Sequence, residues 1–327
     1  MPSGVEDVAA SEVRERLRSA HRIGFQPGKV EFELSPSDLP KLLDVRTIAG
    51  AWIVVTTEAR RPAAVAEDLV GAIRSIAELH GRGVVRSVEL NAAGIHSGSI
   101  DQLRRAIART GLTTKRGGLI VRMRRRAPLV GWEALVAVAP RSLAERLWRV
   151  APFRGSVNAA LAAAIVRLAR PSTSDRFLNL ACGSGTIAIE RALTGPARRV
   201  VATDIAADAI AAAAQNAFAA HVDREIHCVG ADGRRLPFPT SVFDVVCADL
   251  PWGYLVGSHA GNESAYREML VEAARVAERR ARAVFLTAEV RLMQRVLGPL
   301  ADLWRVDRLM RVEQGGARPA LFVLRRA

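Results

Sequence analysis

The feature that most constrains this chain is the alternation of strand-like and helix-like segments through its second half. RFLNLA (176–181) is a short apolar run ending at a glycine turn, and SGTIAIERAL (184–193) continues with helical character. RRVVATD (198–204) is the next strand and AADAIAAAAQNAFAAH (206–221) the next helix, with Asp208 suited to its first turn. EIHCVGAD (225–232) and VFDVVCAD (242–249) read as strands, ESAYREMLVEAARVAERR (263–280) as an amphipathic helix, ARAVFLTA (281–288) as a strand and VRLMQRVLGPL (290–300) as a helix. Strands separated by helices line up in parallel, with helices on both faces of the sheet. The closing stretch LWRVDRLMRVEQGGARPALFVLRR reads as two strands joined at Gly315-Gly316, an antiparallel hairpin at the sheet's edge. The expected fold class is α/β, a Rossmann-like domain with a terminal antiparallel hairpin.

Residues 1–140 follow a different rhythm. KVEFEL (29–34) and AWIVVTT (51–57) are strand-like, and AVAEDLVGAIRSIAELH (64–80) and SIDQLRRAIARTG (99–111) are helix-like. GLIVRMRRRAP and GWEALVAVAP form a basic strand pair, so this half is α+β and carries no catalytic motif. APRSLAERLWRVAPFRGS (139–156) breaks the periodicity and reads as a linker. A length of 327 residues suits two domains, or two and a small third.

The formal net charge of +14 points to a polyanionic partner. Only Lys29, Lys41 and Lys115 are lysines, so the charge is almost all arginine. A GC-rich genome exchanges lysine for arginine but does not create an excess over acids. Cys182, Cys228 and Cys247 form no CxxC pair and lie in apolar contexts, which excludes a disulfide framework and a zinc site and leaves buried thiols. Uncharged apolar-rich runs such as SVNAALAAAIV are far short of the roughly 20 residues of a membrane helix, and the polar start MPSGVEDVAASEV has no apolar signal core. The expectation is a cytoplasmic protein.

In LNLACGSGTIAIE, Gly183 and Gly185 stand between a strand and a helix, where glycine permits positive φ and close approach to a ligand. With Ala188 in third place the spacing fits a dinucleotide fingerprint, and Asp204, about 20 residues on, closes the next strand as an acceptor for ribose hydroxyls. These residues support a nucleoside-containing cofactor without fixing which one; a structural turn with a capping aspartate is the plainer alternative. Asp232, after the following strand, can accept from an adenine amino group. VFDVVCADLPWGYL (242–255) then places Asp249, Leu250, Pro251, Trp252 and Gly253 in succession at the fourth strand tip.

The order LACGSGTIAIE, VVATD, GADGRRLPF, VVCADLPWG resembles the class I S-adenosylmethionine-dependent methyltransferases. A nicotinamide dehydrogenase would leave DLPWG unexplained. The resemblance implies S-adenosylmethionine as cofactor, with contacts from Ala181, Cys182, Gly183, Ser184, Gly185, Thr186, Asp204, Ile205, Asp232 and Gly233. Thr186 also starts the helix.

An exocyclic amine on a base is a poor nucleophile, because its lone pair is delocalised into the ring. Catalysing its methylation is mostly placement: the nitrogen in line with the methyl, its N–H bonds on acceptors, water excluded. Asp249 can accept one N–H bond and the Leu250 carbonyl the other, with Pro251 restraining the backbone. Trp252 can stack on the base, a contact worth about 1–3 kcal/mol, and Gly253 leaves room for close approach. Alone, the quartet also fits a strand end, a turn and a core tryptophan.

The Asp-x-Pro-aromatic-Gly form resembles the RNA guanine-N2 methyltransferases that carry a THUMP domain. PSGVEDVAASEVRERL and PGKVEFELSPSDLPKLLDVRTIAGAWIV are similar to that family's ferredoxin-like N-terminal half. GIHSGSIDQLRRAIARTG through WEALVAVAPRSLAERLWR is similar to a reduced THUMP domain, and APFRGSVNAALAAAIVRLA to the segment leading into its catalytic domain. The resemblance implies a ferredoxin-like region at 1–60, a THUMP-like RNA-binding region at 61–140, a linker at 141–160 and a methyltransferase domain at 161–327. It implies structured RNA as partner, tRNA ahead of 23S rRNA, with no membrane and no obligate protein partner. Tyr254 and Leu255 stand where family members often carry basic residues, with His259 further along. Phe153, Arg154 and Asn158 either cover the cofactor, guide RNA or pack the linker.

Lys115, Arg116, Arg122, Arg124, Arg125 and Arg126, then Arg141, Arg146, Arg149 and Arg154, are placed to track a phosphate backbone, or else to form a solvated face. His96 in GIHSG reads as a loop histidine. A protein glutamine methyltransferase uses a similar clamp, typically as Asn-Pro-Pro-Tyr, and Asp249 and the basic N-terminal half stand against it. A DNA adenine-N6 enzyme, which flips its base, fits the N-terminal half less well. A cytosine-C5 enzyme needs a thiol beside the proline, where Trp252 stands. A non-catalytic RNA-binding protein would not need every cofactor and clamp position filled.

Overall fold

The computed structural model describes residues 1–58, 61–81, 83–92, 97–125, 131–252 and 262–327. It opens with α1 (Glu6–Arg16) and a two-stranded antiparallel ribbon, β1 (His21–Gln26) and β2 (Lys29–Glu33). There follow β3 (Trp52–Thr57), α2 (Ala66–His80), β4 (Ser87–Asn91), α3 (Ser97–Ala108), β5 (Thr113–Thr114), β6 (Leu119–Arg125) and β7 (Trp132–Ala137). The last five strands named form a mixed sheet in the order β3-β7-β6-β4-β5. β4, in SVELN, has too short a pattern to stand out in the sequence. β3 pairs with β7 along its whole length, so this sheet draws strands from both sides of residue 60.

Period-two alternation decides what each face of this sheet meets. Val121 and Met123 of β6 join Val55, Ala134 and Val136 beneath Leu69, Ile73, Leu103 and Ile107 of α2 and α3. Arg122 and Arg124 point the other way and are exposed.

The second half contains α4 (Ala159–Leu168), β8 (Arg176–Leu180), α5 (Thr186–Thr194), β9 (Arg199–Asp204), α6 (Ala207–Ala219), β10 (Ile226–Gly230) and β11 (Phe243–Asp249). It ends with α7 (Asn262–Val276), β12 (Ala277–Thr287), α8 (Val290–Leu297), β13 (Trp304–Arg311) and β14 (Ala320–Arg326). Seven strands form one sheet in the order β10-β9-β8-β11-β12-β14-β13. The first five in that order run parallel, and β14 is antiparallel to both its neighbours. The hairpin therefore does not simply add an antiparallel edge: its second strand inserts between β12 and β13, and β13 becomes the edge. Gly315 and Gly316 take φ of +56° and +83° in the connection.

Helices cover both faces, which is why the central strands read as continuous apolar runs. Phe177, Val245 and Cys247 face a core shared with α4, α5 and α6, while Leu178, Val246 and Ala248 face one shared with α7 and α8. Asp244, the charge inside the β11 run, is answered by Arg176, whose backbone N–H and guanidinium both donate to it. The helix expected over 263–280 ends at Val276, where the chain passes directly into β12. Ala277 pairs with Phe243, the register slips before Arg282, and Arg280 takes φ +65°. Pairing with β11 overrides the helical character of the polar AERR segment.

The linker packs against both halves. Leu143 N–H and the Ser142 hydroxyl donate to the Ala49 carbonyl. Wholly buried Glu190 of α5 binds the Arg46 guanidinium through both oxygens (2.6 and 3.0 Å) and Arg146 at 2.8 Å. The helix that starts at the glycine turn is thus fixed to residues from the N-terminal half and the linker.

Candidate active site

The chain runs from β8 outward to β9 and β10, then returns to β11 on the other side of β8. Open parallel sheets bind ligands at such a reversal, outside the carboxyl ends of the strands. The tips that meet there are the glycine turn after β8, Asp204 ending β9, Asp232 beyond β10 and Asp249 ending β11.

The glycine turn is bare backbone held in shape from below. Gly183 and Gly185 take φ of +52° and +77°, and a Cβ at Gly185 would lie 2.9 Å from the Ala213 Cβ, so a side chain there meets both strain and a collision. Ala181 is also in the left-handed region, at +48°. The Gly183 N–H donates to Asp204 Oδ2 at 2.8 Å and the Ala206 N–H to Oδ1 at 3.0 Å. Asp204 is therefore pre-oriented, and each oxygen keeps acceptor capacity for a ribose hydroxyl. Ile205, next to it, is 70 % exposed, an apolar side chain open to a flat ring. Asp232 faces Arg234, which donates to both its oxygens and holds its carboxyl below the usual range. Gly233 lies against Leu180 and Met269, where a Cβ would come within 3.0 and 3.2 Å of their side chains. Cys182 is buried and burial pushes its thiol well up, so it is a packing thiol; all three cysteines are free.

At the fourth tip the Trp252 indole N–H donates to Asp249 Oδ1 at 3.0 Å. Asp249 is half-buried, and loss of hydration pushes its pKa up to about 7 against that hydrogen bond. Leu250 is buried, with its N–H on the Leu286 carbonyl of β12 at 2.9 Å. The Pro251 carbonyl accepts from Tyr266 Oη (2.5 Å) and Asn262 Nδ2 (3.3 Å), and Tyr266 also meets Thr287 at 2.6 Å. The DLPW turn is thus held from β12 and from the first turns of α7.

Several residues that shape the site are not apparent in the sequence. Asn262 and Tyr266 lie four apart on α7, a spacing shared by any packed helix face. Asn179, fully buried in β8, donates to the Cys247 carbonyl (3.2 Å) and accepts from the Ala188 N–H (3.2 Å), tying β8 to β11 and to α5. The lone asparagine in an apolar strand was the available signal. Thr186 receives a hydrogen bond from Arg149 (3.0 Å), and Ser184 meets Ser156 (2.8 Å).

The basic residues do not form one stripe. Arg122 stacks over Trp52 at 4.7 Å on the outward face of the five-stranded sheet, and Arg124 on that face pairs with Glu133. Arg125 lies over Trp132 at 4.9 Å. Arg146 is bound to Glu190, and Arg149 is turned inward, with Nε buried and unpartnered and its pKa lowered by that burial. These two are structural, whereas Arg141 and Arg154 remain exposed. Asn158 caps α4, accepting from Ala160 and Leu161 N–H groups, and Phe153 lies against Gly183, 3.7 Å from where its Cβ would be. Gly253, Tyr254, Leu255, His259, His96 and Arg126 lie outside the described residues. Among the described residues no cluster of His, Cys, Asp or Glu is arranged to hold a metal, and no helix is long and apolar enough to cross a membrane.

Residues 146–320 match the family model described as RMKL-like, methyltransferase domain. The chain is 34% identical over 273 residues to tRNA (guanine(6)-N2)-methyltransferase of Thermus thermophilus, covering 79% of each chain. It is 30% identical over 181 residues to the human tRNA (guanine(6)-N(2))-methyltransferase THUMP3, an alignment of 52% of this chain and 36% of that protein. Among solved structures, TrmN from Thermus thermophilus superposes with a TM-score of 0.77 and 26% identity, covering 100% of this chain and 98% of that one.

Proposed function

The chain belongs to the UPF0020 family of RMKL-like methyltransferase domains, and on that premise we propose that it methylates the exocyclic N2 amino group of a guanine in tRNA. S-adenosylmethionine is the donor, supplying a methyl group already electrophilic on its sulfonium. The glycine turn and Asp204 suit its nucleoside, with Ile205 beside the adenine and Asp232 free to exchange Arg234 for the adenine amino group.

The observation that carries the reading is the half-buried Asp249, whose carboxyl accepts from the Trp252 indole at the strand tip beside the sheet's reversal. An amino group placed there donates one N–H to Asp249 and the other to the Leu250 carbonyl, whose backbone is restrained from both sides. As the nitrogen–methyl bond forms, the nitrogen sheds a proton. A carboxyl whose pKa lies near 7 is a better acceptor for it than an ordinary aspartate. The Trp252 ring is the surface on which the guanine stacks. The outward face of the five-stranded sheet, with Arg122 over Trp52, offers phosphate and stacking contacts to the rest of the RNA. The relatives' names make guanine 6 the first position to test, and a tRNA substrate is consistent with a cytoplasmic protein.

The test is methyl transfer from labelled S-adenosylmethionine to unmodified tRNA, rRNA fragments, DNA and protein, followed by digestion. Label in N2-methylguanosine from tRNA is expected. Label in glutamine or in DNA adenine instead would overturn the substrate and keep the methyl transfer.

A further inference from the structure

Asn216 is the one fully buried polar residue on an otherwise alanine face of α6, among Ala209, Ala212, Ala213 and Ala217. A buried amide costs about 1–3 kcal/mol if left unpaired, so its bonds are what justify its place. Its Oδ1 accepts from the Ala151 N–H at 2.8 Å. Its Nδ2 donates to the Ala151 carbonyl and to the Ser184 carbonyl, both at 3.1 Å. One side chain thus pairs with a whole residue of the linker and with the residue between the two glycines of the cofactor turn. An amide is the side-chain group that offers one acceptor and two donors from a single carbon.

Two further ties run in parallel, Ser156 to Ser184 and Arg149 to Thr186, and Phe153 of the same linker segment lies against Gly183. The linker is therefore a wall of the turn. We propose that Asn216 is a positioning residue for cofactor binding: its amide sets the linker and the glycine turn in register, and affinity for S-adenosylmethionine depends on it while affinity for RNA does not. This rests on the reading of the turn as the S-adenosylmethionine site.

The test compares the full chain with Asn216→Asp and Asn216→Ala, using calorimetric titration with S-adenosylmethionine, RNA binding without cofactor, and thermal melting. Asn216→Asp keeps the shape and the acceptor but sets a carboxyl group against two carbonyl oxygens. Asn216→Ala removes the amide and leaves a small gap. The expected result is an S-adenosylmethionine Kd raised about tenfold in Asn216→Ala and further in Asn216→Asp, with RNA affinity and kcat at saturating cofactor within about twofold of the parent. A purely space-filling role reverses that ranking, because the near-isosteric aspartate would then be the milder change. Such a reversal, or a lowered melting temperature with unchanged Kd, overturns the proposal. Should one variant fail to fold, the other still decides between a raised and an unchanged Kd. Failure of the unmodified chain to bind S-adenosylmethionine overturns the cofactor site itself, whereas binding by the parent with an equal Kd in the variants overturns only the role of Asn216.

Discussion

The carboxyl edge of the seven-stranded sheet and the outward face of the five-stranded sheet both carry charged residues beside a tryptophan, and they use them in opposite ways. At the edge, Asp249 is half-buried and, among the described residues, accepts from the Trp252 indole, so its carboxyl is partly stripped of water and its pKa is raised. On the face, Arg122 stacks on Trp52 and Arg124 pairs with Glu133, both guanidiniums exposed to water. Desolvation gives a single group large leverage, whereas exposed charges act by number and are screened by salt. On the proposed reading, one region serves a reaction at one atom and the other an extended polyanion.

Four changes sharpen or break that comparison. The largest effect on stability belongs to the joint between the two regions. Glu190→Ala strands Arg46 and Arg146 against a buried gap and is expected to cost about 3–5 kcal/mol, read by denaturant unfolding. A loss below about 1 kcal/mol would mean that the joint is loose. Asp249→Ala is expected to lower single-turnover methyl transfer about 10²–10³-fold with S-adenosylmethionine affinity retained. Surviving turnover would remove Asp249 from the reaction and end the contrast between the two regions.

The raised pKa of Asp249 makes a further distinction. Between the ordinary aspartate value and about 7 the folded chain holds a proton that the unfolded chain has released. This group's contribution to stability is present below that window and is lost as pH rises through about 7. Asp249→Asn should therefore raise the melting temperature by a few degrees at pH 8 and much less at pH 5, while methyl transfer by the parent rises through about pH 7 as the carboxylate forms. A flat difference in melting across that range would show an ordinary aspartate. The smallest effect is expected on the five-stranded sheet: Arg122→Ala should weaken tRNA binding a few-fold and reduce the slope of log affinity against log salt by about one, with kcat unchanged. A fall in kcat instead would show that the face reaches the reacting guanine.

The two regions also differ in how far they could be read from the chain. In the catalytic half nearly every strand and helix was legible, because strands buried on both faces are continuous apolar runs and β8, β9, β11 and β12 are each followed by a 3.6-period helix. The glycine turn, Asp204 and DLPW were legible because each needs an unusual residue at a strand tip. The end of α7 was not, since the polar AERR segment suits either state and pairing with β11 decided it. In the N-terminal half, β4 was hidden in five residues, and the alignment of β3 with β7 lies about eighty residues apart along the chain, beyond any local pattern. The row of arginines suggests one surface along the chain, yet Arg146 and Arg149 point inward, because a linker has no period from which to infer a facing side.

The sequence by itself determined the α/β class, the strand tips at which chemistry is possible and the residue types offered there, because backbone periodicity and glycine's freedom are local properties. Only the tertiary structure decided that Trp252 would grip Asp249, that Tyr266 and Asn262 would hold the Pro251 carbonyl, and that Asn216 would fasten the linker to the glycine turn. The first of those bonds spans three residues and depends on the shape of the turn; the others join groups brought together by packing, and the altered pKa of Asp249 follows from the desolvation that packing creates.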